Sequence, residues 1–332
     1  MFDIAYVGTT GTHLPQFRQV DQDYNTAAEL ATLSPSVVNR LEILGIPTPI
    51  AEEIAAGPIV DIPGIVRNPY FGFAQIFQAN TAVSSNYNAL QAKIDVRGWH
   101  GLRLGIDYTF AKSIDGGSAI FGTGANGTTI FPQNTYDPQA ERGLSDFDIR
   151  HRFVANFIYD LPKVTHFGQG AANLLLNGWA MTSIVTAQSG QPLTVLTGVN
   201  ESSSGLGTDR PDLVGNPNSG PHTVQEWFNT SAFVLNAPLT FGSAGRNIVN
   251  GPGYVDVDYS LIKNTHFERG MNLQFRAEMF NIFNHPNFGF PNNTLTSPSF
   301  GSLFETADVA QNNVGLGSGG PRLIQFGLKF LF

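Results

Sequence analysis

Eight stretches of this 332-residue chain alternate apolar and polar side chains with period two. That alternation is the signature of strands whose two faces meet different surroundings. The clearest is LRLGIDYTFAK, residues 102–112, with Leu102, Leu104, Ile106, Tyr108 and Phe110 on one face and Arg103, Gly105, Asp107, Thr109 and Ala111 on the other. ALQAKIDVR (89–97), RFVANFIYDL (152–161) and MNLQFRAEM (271–279) repeat the pattern, and FDIAYVG (2–8), GWAMTSIVTAQ (178–188) and VDVDYSLIKN (255–264) follow it less strictly. The last is the closing run RLIQFGLKFLF, in which Ile324, Phe326, Leu328, Phe330 and Phe332 share a face.

The connections sort by length. Segments 98–101, 162–176 and 268–270 are short to moderate, whereas 9–85, 113–149, 189–254 and 284–321 are long and rich in Gly, Pro, Asn, Ser and Thr. Loops that long are uncommon inside a compact domain. Alternation of long and short loops is the habit of a transmembrane barrel of the bacterial outer membrane, whose turns are short in the periplasm and long outside. A soluble β-sandwich turns every 8–12 residues and has no reason to sort loops by side.

Aromatic residues agree with this reading. Trp99, Trp179, Tyr159 and Phe332 fall near the periplasmic ends of the strands, and Tyr6, Tyr108, Phe110 and Phe153 near the opposite ends. Two such girdles would flank an apolar band roughly 25 Å tall. Charged residues are only 13% of the chain, about half the usual share. With a net charge of −8 and no Lys/Arg-rich stripe, nucleic acid is excluded as a partner. There is no cysteine, so disulfide frameworks and thiol chemistry are absent. No apolar run reaches the length of a transmembrane helix. The helical spacing of residues 36–57 predicts a short surface helix within the first long loop.

Candidate site residues are few. Arg150, His151 and Arg152 stand beside Asp146 and Asp148 at the mouth of a strand. They read as a polar rim network, or less readily as a metal or acid–base centre. Asp256 and Asp258 share the polar face of one strand, and Arg276 and Glu278 that of the next; they read as a lumenal salt-bridge ladder, or less readily the two aspartates as an acid–base pair or cation site. The other histidines stand singly, without the converging ligands a metal needs. The Gly-rich run 315–322 precedes a strand rather than a helix, so it does not fit a phosphate loop. No catalytic residue, cofactor or metal is expected, and the chain is read as a non-enzyme.

Several segments carry a family resemblance. YVGTTGTHL (6–14), SNYNALQAKIDVRGWHGLRLGIDYTFAKSID (85–115), ERGLSDFDIRHRFVANFIYDLP (141–162), FRAEMFNIFNHPNFG (275–289) and the closing QFGLKFLF resemble the C-terminal part of TonB-dependent outer-membrane receptors, and more narrowly the Oar-like group with an N-terminal carboxypeptidase-regulatory-like domain. The resemblance implies a barrel of about 22 strands with a plugged lumen and energised uptake of an extracellular ligand through the TonB system. Residues 1–332 then form an all-β portion of that barrel, about its last eight strands, with long extracellular loops and without the plug or regulatory-like domain, as a fragment would. Phe326, Leu328, Phe330 and Phe332 resemble the C-terminal signal read by the barrel-assembly machinery, and the same face would meet outer-membrane lipid. A self-contained eight-stranded adhesin or structural barrel is the alternative.

Overall fold

The computed structural model describes residues 1–73, 75–119, 131–164, 171–205, 207, 209–267, 270–310 and 319–332. The long strands are β1 (Phe2–Gln19), β2 (Phe77–Trp99), β3 (Leu102–Asp115), β4 (His151–Asp160), β5 (Trp179–Gln188), β6 (Tyr254–His266), β7 (Asn272–Phe280) and β8 (Leu323–Leu331). Each pairs antiparallel with its neighbours in chain order, giving one up-and-down sheet. The pair Gly143–Leu144 adds a short strand beside the outer end of β3. Among the described residues the sheet ends in two edges, β1 and β8, which do not pair with each other.

Register confirms the two faces. One row runs Ile94–Ile106–Ala155–Val185–Val257 across five strands. The next residue along turns the other way, giving Lys93 opposite Asp107 and Gly105 opposite Asn156. Among the described residues nothing covers the apolar face: Tyr6 is 71% exposed, Phe326 72% and Leu328 71%. In water such a face would be an aggregation hazard; against acyl chains it is the required surface.

A charged residue, Lys263, also stands on that face. It lies at the inner end of β6, opposite Trp179 and Phe275. Its Nζ bends away to the Asn177 carbonyl (2.5 Å), the Asn264 carbonyl (3.1 Å) and Thr265 Oγ1 (3.1 Å), and sits 5.9 Å from the Trp179 ring centre. The long side chain thereby keeps its charge out of the apolar layer.

All eight expected strands are present, but β1 and β2 reach well beyond the expected 2–8 and 89–97. Their outer halves pair from Gly8–Asn88 up to Gln19–Phe77, with register shifts around Leu14. Apolar alternation marks only the part of a strand that faces hydrocarbon. Above that level both faces are wet and the sequence need not alternate.

The expected surface helix over 36–57 is a different object. It is broken into α2 (Val37–Ile43) and α3 (Thr48–Ala56), and is joined by α1 (Ala27–Leu30) and α4 (Gly64–Arg67). The break falls at Gly45, whose φ of 87° suits glycine, and Pro47 precedes the restart. Leu41 and Ala51 are fully buried against Leu30, Ile62 and Val66. The segment is therefore a small packed unit rather than a single helix lying on the surface. Arg40 is buried within it and donates to the carbonyls of Ser34, Pro35, Val66 and Asn68, with its guanidinium 5.1 Å from the Phe71 ring centre. A second core joins Leu193, Val195, Phe228, Phe233 and Val249, with Trp227, Phe290 and Phe300 packed on it. Both cores belong to the long loops, which form a cap at the outer end of the sheet. Residues 315–318 of the Gly-rich run lie outside the described residues.

Candidate functional site

The rim triplet does not act as one network. Arg152 faces the lumen between Thr109 and Gln188. His151 faces the opposite way, beside Phe110 (ring centres 5.0 Å apart), with Nδ1 2.8 Å from Tyr108 Oη. Its backbone N–H donates to Ser189 Oγ at 3.0 Å. Arg150 reaches Asp148 at 3.5 Å. Strand alternation forces this split, because consecutive residues cannot point the same way.

The expected lumenal ladder is likewise divided. Asp256 Oδ2 accepts from Tyr254 Oη at 3.1 Å, and Asp258 Oδ1 accepts the Asn281 backbone N–H at 3.0 Å. Arg276 lies farther down, between Ile262 and Gly327, and pairs instead with Glu278 (3.8 Å) and Gln274 Oε1 (2.8 Å). Glu278 also accepts from Gln325 at 2.6 Å. No ion pair joins either aspartate to Arg276 among the described residues. The terminal residues Phe326, Leu328 and Phe330 lie on the apolar face across from Ala277, Phe275 and Leu273, and Phe330 stacks on Phe332.

The SDFDIRHRF segment has another task. Asp146 and Asp148 are buried under the cap rather than at an open rim. Asp146 accepts from Arg246 (3.5 Å) and from Asn247 Nδ2 (2.7 Å), while Asp148 accepts the Ser113 N–H (2.6 Å). Arg246 also binds the Asp115 carboxylate and the Glu141 carbonyl. Arg210 pairs with the Glu141 carboxylate at 2.7 Å and donates to the Ala244 carbonyl. Asn247, held at a φ of 57°, accepts from Thr194 Oγ1. These residues fasten the loops after β3 and β5 to each other and to the outer end of β3. Sequence reasoning missed Asp115, Glu141, Arg210 and Arg246. They are lone charges in polar loops, and no spacing announces that they converge.

The FNIFNHPNFG segment is a second fastening. Asn281 turns the chain at a φ of 46°, and its side chain binds the backbone of His285 and Gly320. Asn287 clamps Val255 of β6 from both sides, accepting its N–H (2.8 Å) and donating to its carbonyl (2.9 Å). Phe288 and Phe290 are thereby fixed beside the outer ends of β5 and β6, where with Gln188, Gln191 and Tyr254 they line a cleft of about 190 Å³.

Two carboxylates in the cap feel their burial. The Asp23 carboxyl is pushed up to about 6, chiefly by desolvation, against the pull of Arg67. Burial also raises Asp209, although Ser202 holds both of its oxygens.

A meander with a bare apolar face, a polar reverse and a cap on one end is the anatomy of a membrane barrel wall. The family model described as "Outer membrane beta barrel domain" matches residues 1–325. The chain belongs to that family. As an outer membrane beta barrel domain it resides in the bacterial outer membrane, with the bare face in lipid and the cap outside. No curated protein and no solved structure matches it.

Proposed function

We propose that this outer membrane beta barrel domain is a sector of a receptor/transporter barrel of the TonB-dependent, Oar-like kind, with the cap as its ligand-facing surface. The observation that carries the reading is the open sheet, whose edges β1 and β8 do not meet among the described residues. An unpaired edge in hydrocarbon costs several kcal/mol per backbone group, so both edges call for further strands. The lumenal face supports the same reading. An eight-stranded barrel fills its interior with side chains, yet lumen-facing Ile184 is 54% exposed and the Lys93 and Asp107 side chains are each about half exposed. In this reading the chain carries out no covalent chemistry. The barrel-assembly machinery recognises its C-terminal strand, and a plug domain fills the lumen and answers to the TonB system.

The absence of cysteine makes a clean test. Ile4→Cys with Leu328→Cys is expected to give no intrachain disulfide in outer membranes; efficient cross-linking between β1 and β8 would establish a self-closed eight-stranded barrel instead. A photo-cross-linking residue at lumen-facing Lys329 is expected to capture a plug. Correctly inserted protein that captures none would rule out the transporter role.

A further inference from the structure

The cleft between β5, β6 and the loop after β7 is used by nothing described above. We infer that it is a binding subsite for one neutral pyranose ring of an extracellular saccharide. The inference deepens the receptor reading and rests on the cap being its ligand face.

Size comes first. At about 190 Å³ the cleft is smaller than the roughly 300–1,000 Å³ of sites that hold drug-sized ligands. It accepts one ring, not a whole metal chelate. Its charge is the second constraint. Among the described residues no ionic side chain lines it, so none of them is placed to neutralise a phosphate or carboxylate. Asp256 stands behind Tyr254, bound to its hydroxyl, and would repel an anion further.

The chemistry of the walls is two-sided. Tyr254, Phe288 and Phe290 supply aromatic surface, and Gln188 and Gln191 supply carboxamides. Both amides are half-buried and make no side-chain hydrogen bond among the described residues. Each amide offers two donors and an acceptor. A purely apolar guest would strip water from these groups without replacing its hydrogen bonds, at a penalty. A pyranose answers both walls, with a C–H face for the rings and adjacent hydroxyls for the amides.

The cleft is also preformed. Asn287 pins the loop to β6 through paired hydrogen bonds. Gly251 lets the chain pass close behind it, because a Cβ there would stand 2.8 Å from the Gln191 carbonyl and 3.3 Å from the Phe290 ring. The FNIFNHPNFG segment thus gains a purpose beyond turning the chain.

The test uses the protein as inserted in outer membranes and then extracted into detergent micelles, read by saturation-transfer NMR. The probes are methyl α-D-glucopyranoside, methyl β-D-galactopyranoside, methyl N-acetyl-β-D-glucosaminide and N-acetyl-phenylalanine amide. At least one glycoside is expected to receive saturation at its ring C–H protons. Gln188→Ala with Gln191→Ala should weaken that glycoside about tenfold, two hydrogen bonds being lost, while circular dichroism stays unchanged. Phe288→Ala should remove the transfer. No transfer to any glycoside from folded protein overturns the inference, as do preference for the phenylalanine amide and indifference to the double substitution. Sugar binding without plug capture at Lys329 would sink the transporter reading alone. Plug capture without sugar binding would sink the subsite alone.

Discussion

The wall and the cap are made of the same chain by opposite rules. In the wall, backbone hydrogen bonds do the holding and the large apolar side chains of β1 and β8 point away from the protein. In the cap, apolar residues gather into two cores, and charged residues are buried in pairs such as Arg210–Glu141 and Arg246–Asp115. The difference follows from solvent. Lipid is as apolar as leucine, so the wall gains nothing by hiding its leucines inside. The cap stands in water and must bury apolar surface to stay folded.

Substitutions can break this contrast in a graded way. The largest effect is expected in the cap from Arg246→Ala, which takes the cation away from the buried Asp115 and Asp146 carboxylates and leaves them only neutral donors such as Ser118 Oγ and Asn247 Nδ2. Removing one member of a buried pair costs about 3–5 kcal/mol, so the loops should become cleavable by protease while the strand signal in circular dichroism persists. In the wall, Phe326→Arg places a cation on the apolar face near the middle of β8. It should cost about 2–4 kcal/mol, seen as reduced insertion into outer membranes, with the cap's own packing untouched.

A smaller effect is expected from pH. Asp23 carries a folded-state pKa of about 6, above the usual carboxylate value near 3.9. The folded state therefore holds this proton more tightly than the unfolded chain. Its contribution to stability is complete below about pH 4 and is lost as pH rises through about 6. Asp23→Asn should remove that portion of the pH dependence, measured as protease resistance of the first long loop relative to the parent. The smallest effect belongs to the wall's lumenal face. Lys93 and Asp107 are 3.9 Å apart and half exposed, and such pairs contribute about 0–1 kcal/mol. Lys93→Gln should leave thermal unfolding in detergent unchanged within error; a clear drop would mean that the lumenal face is drier than the sheet implies.

How much of this could be read beforehand also divides along the same line. The lipid-facing strands are written in period two, and Leu102 to Phe110 or Phe326 to Phe330 are enough to place a face. The outer halves of β1 and β2 carry no such mark, because water on both sides imposes no alternation. The cap was the least legible part. Arg246 meets residues 100 and 131 positions away, and nothing local forecasts that meeting. The SDFDIRHRF and FNIFNHPNFG segments stood out as patterns, but their purpose became visible only as hydrogen bonds to Arg246, Asn247 and Val255. His151 illustrates the reverse failure: a suggestive cluster in sequence is pulled apart by the alternation of the strand that carries it.

The chain-order pairing of the sheet has a kinetic consequence. β2–β3, β4–β5 and β6–β7 are joined by the shorter connections, so each couple can zip up early at little loop-closure cost. The cap must wait until segments from four separate loops arrive together. Insertion should therefore proceed hairpin by hairpin, and the outer surface should be the last part to set.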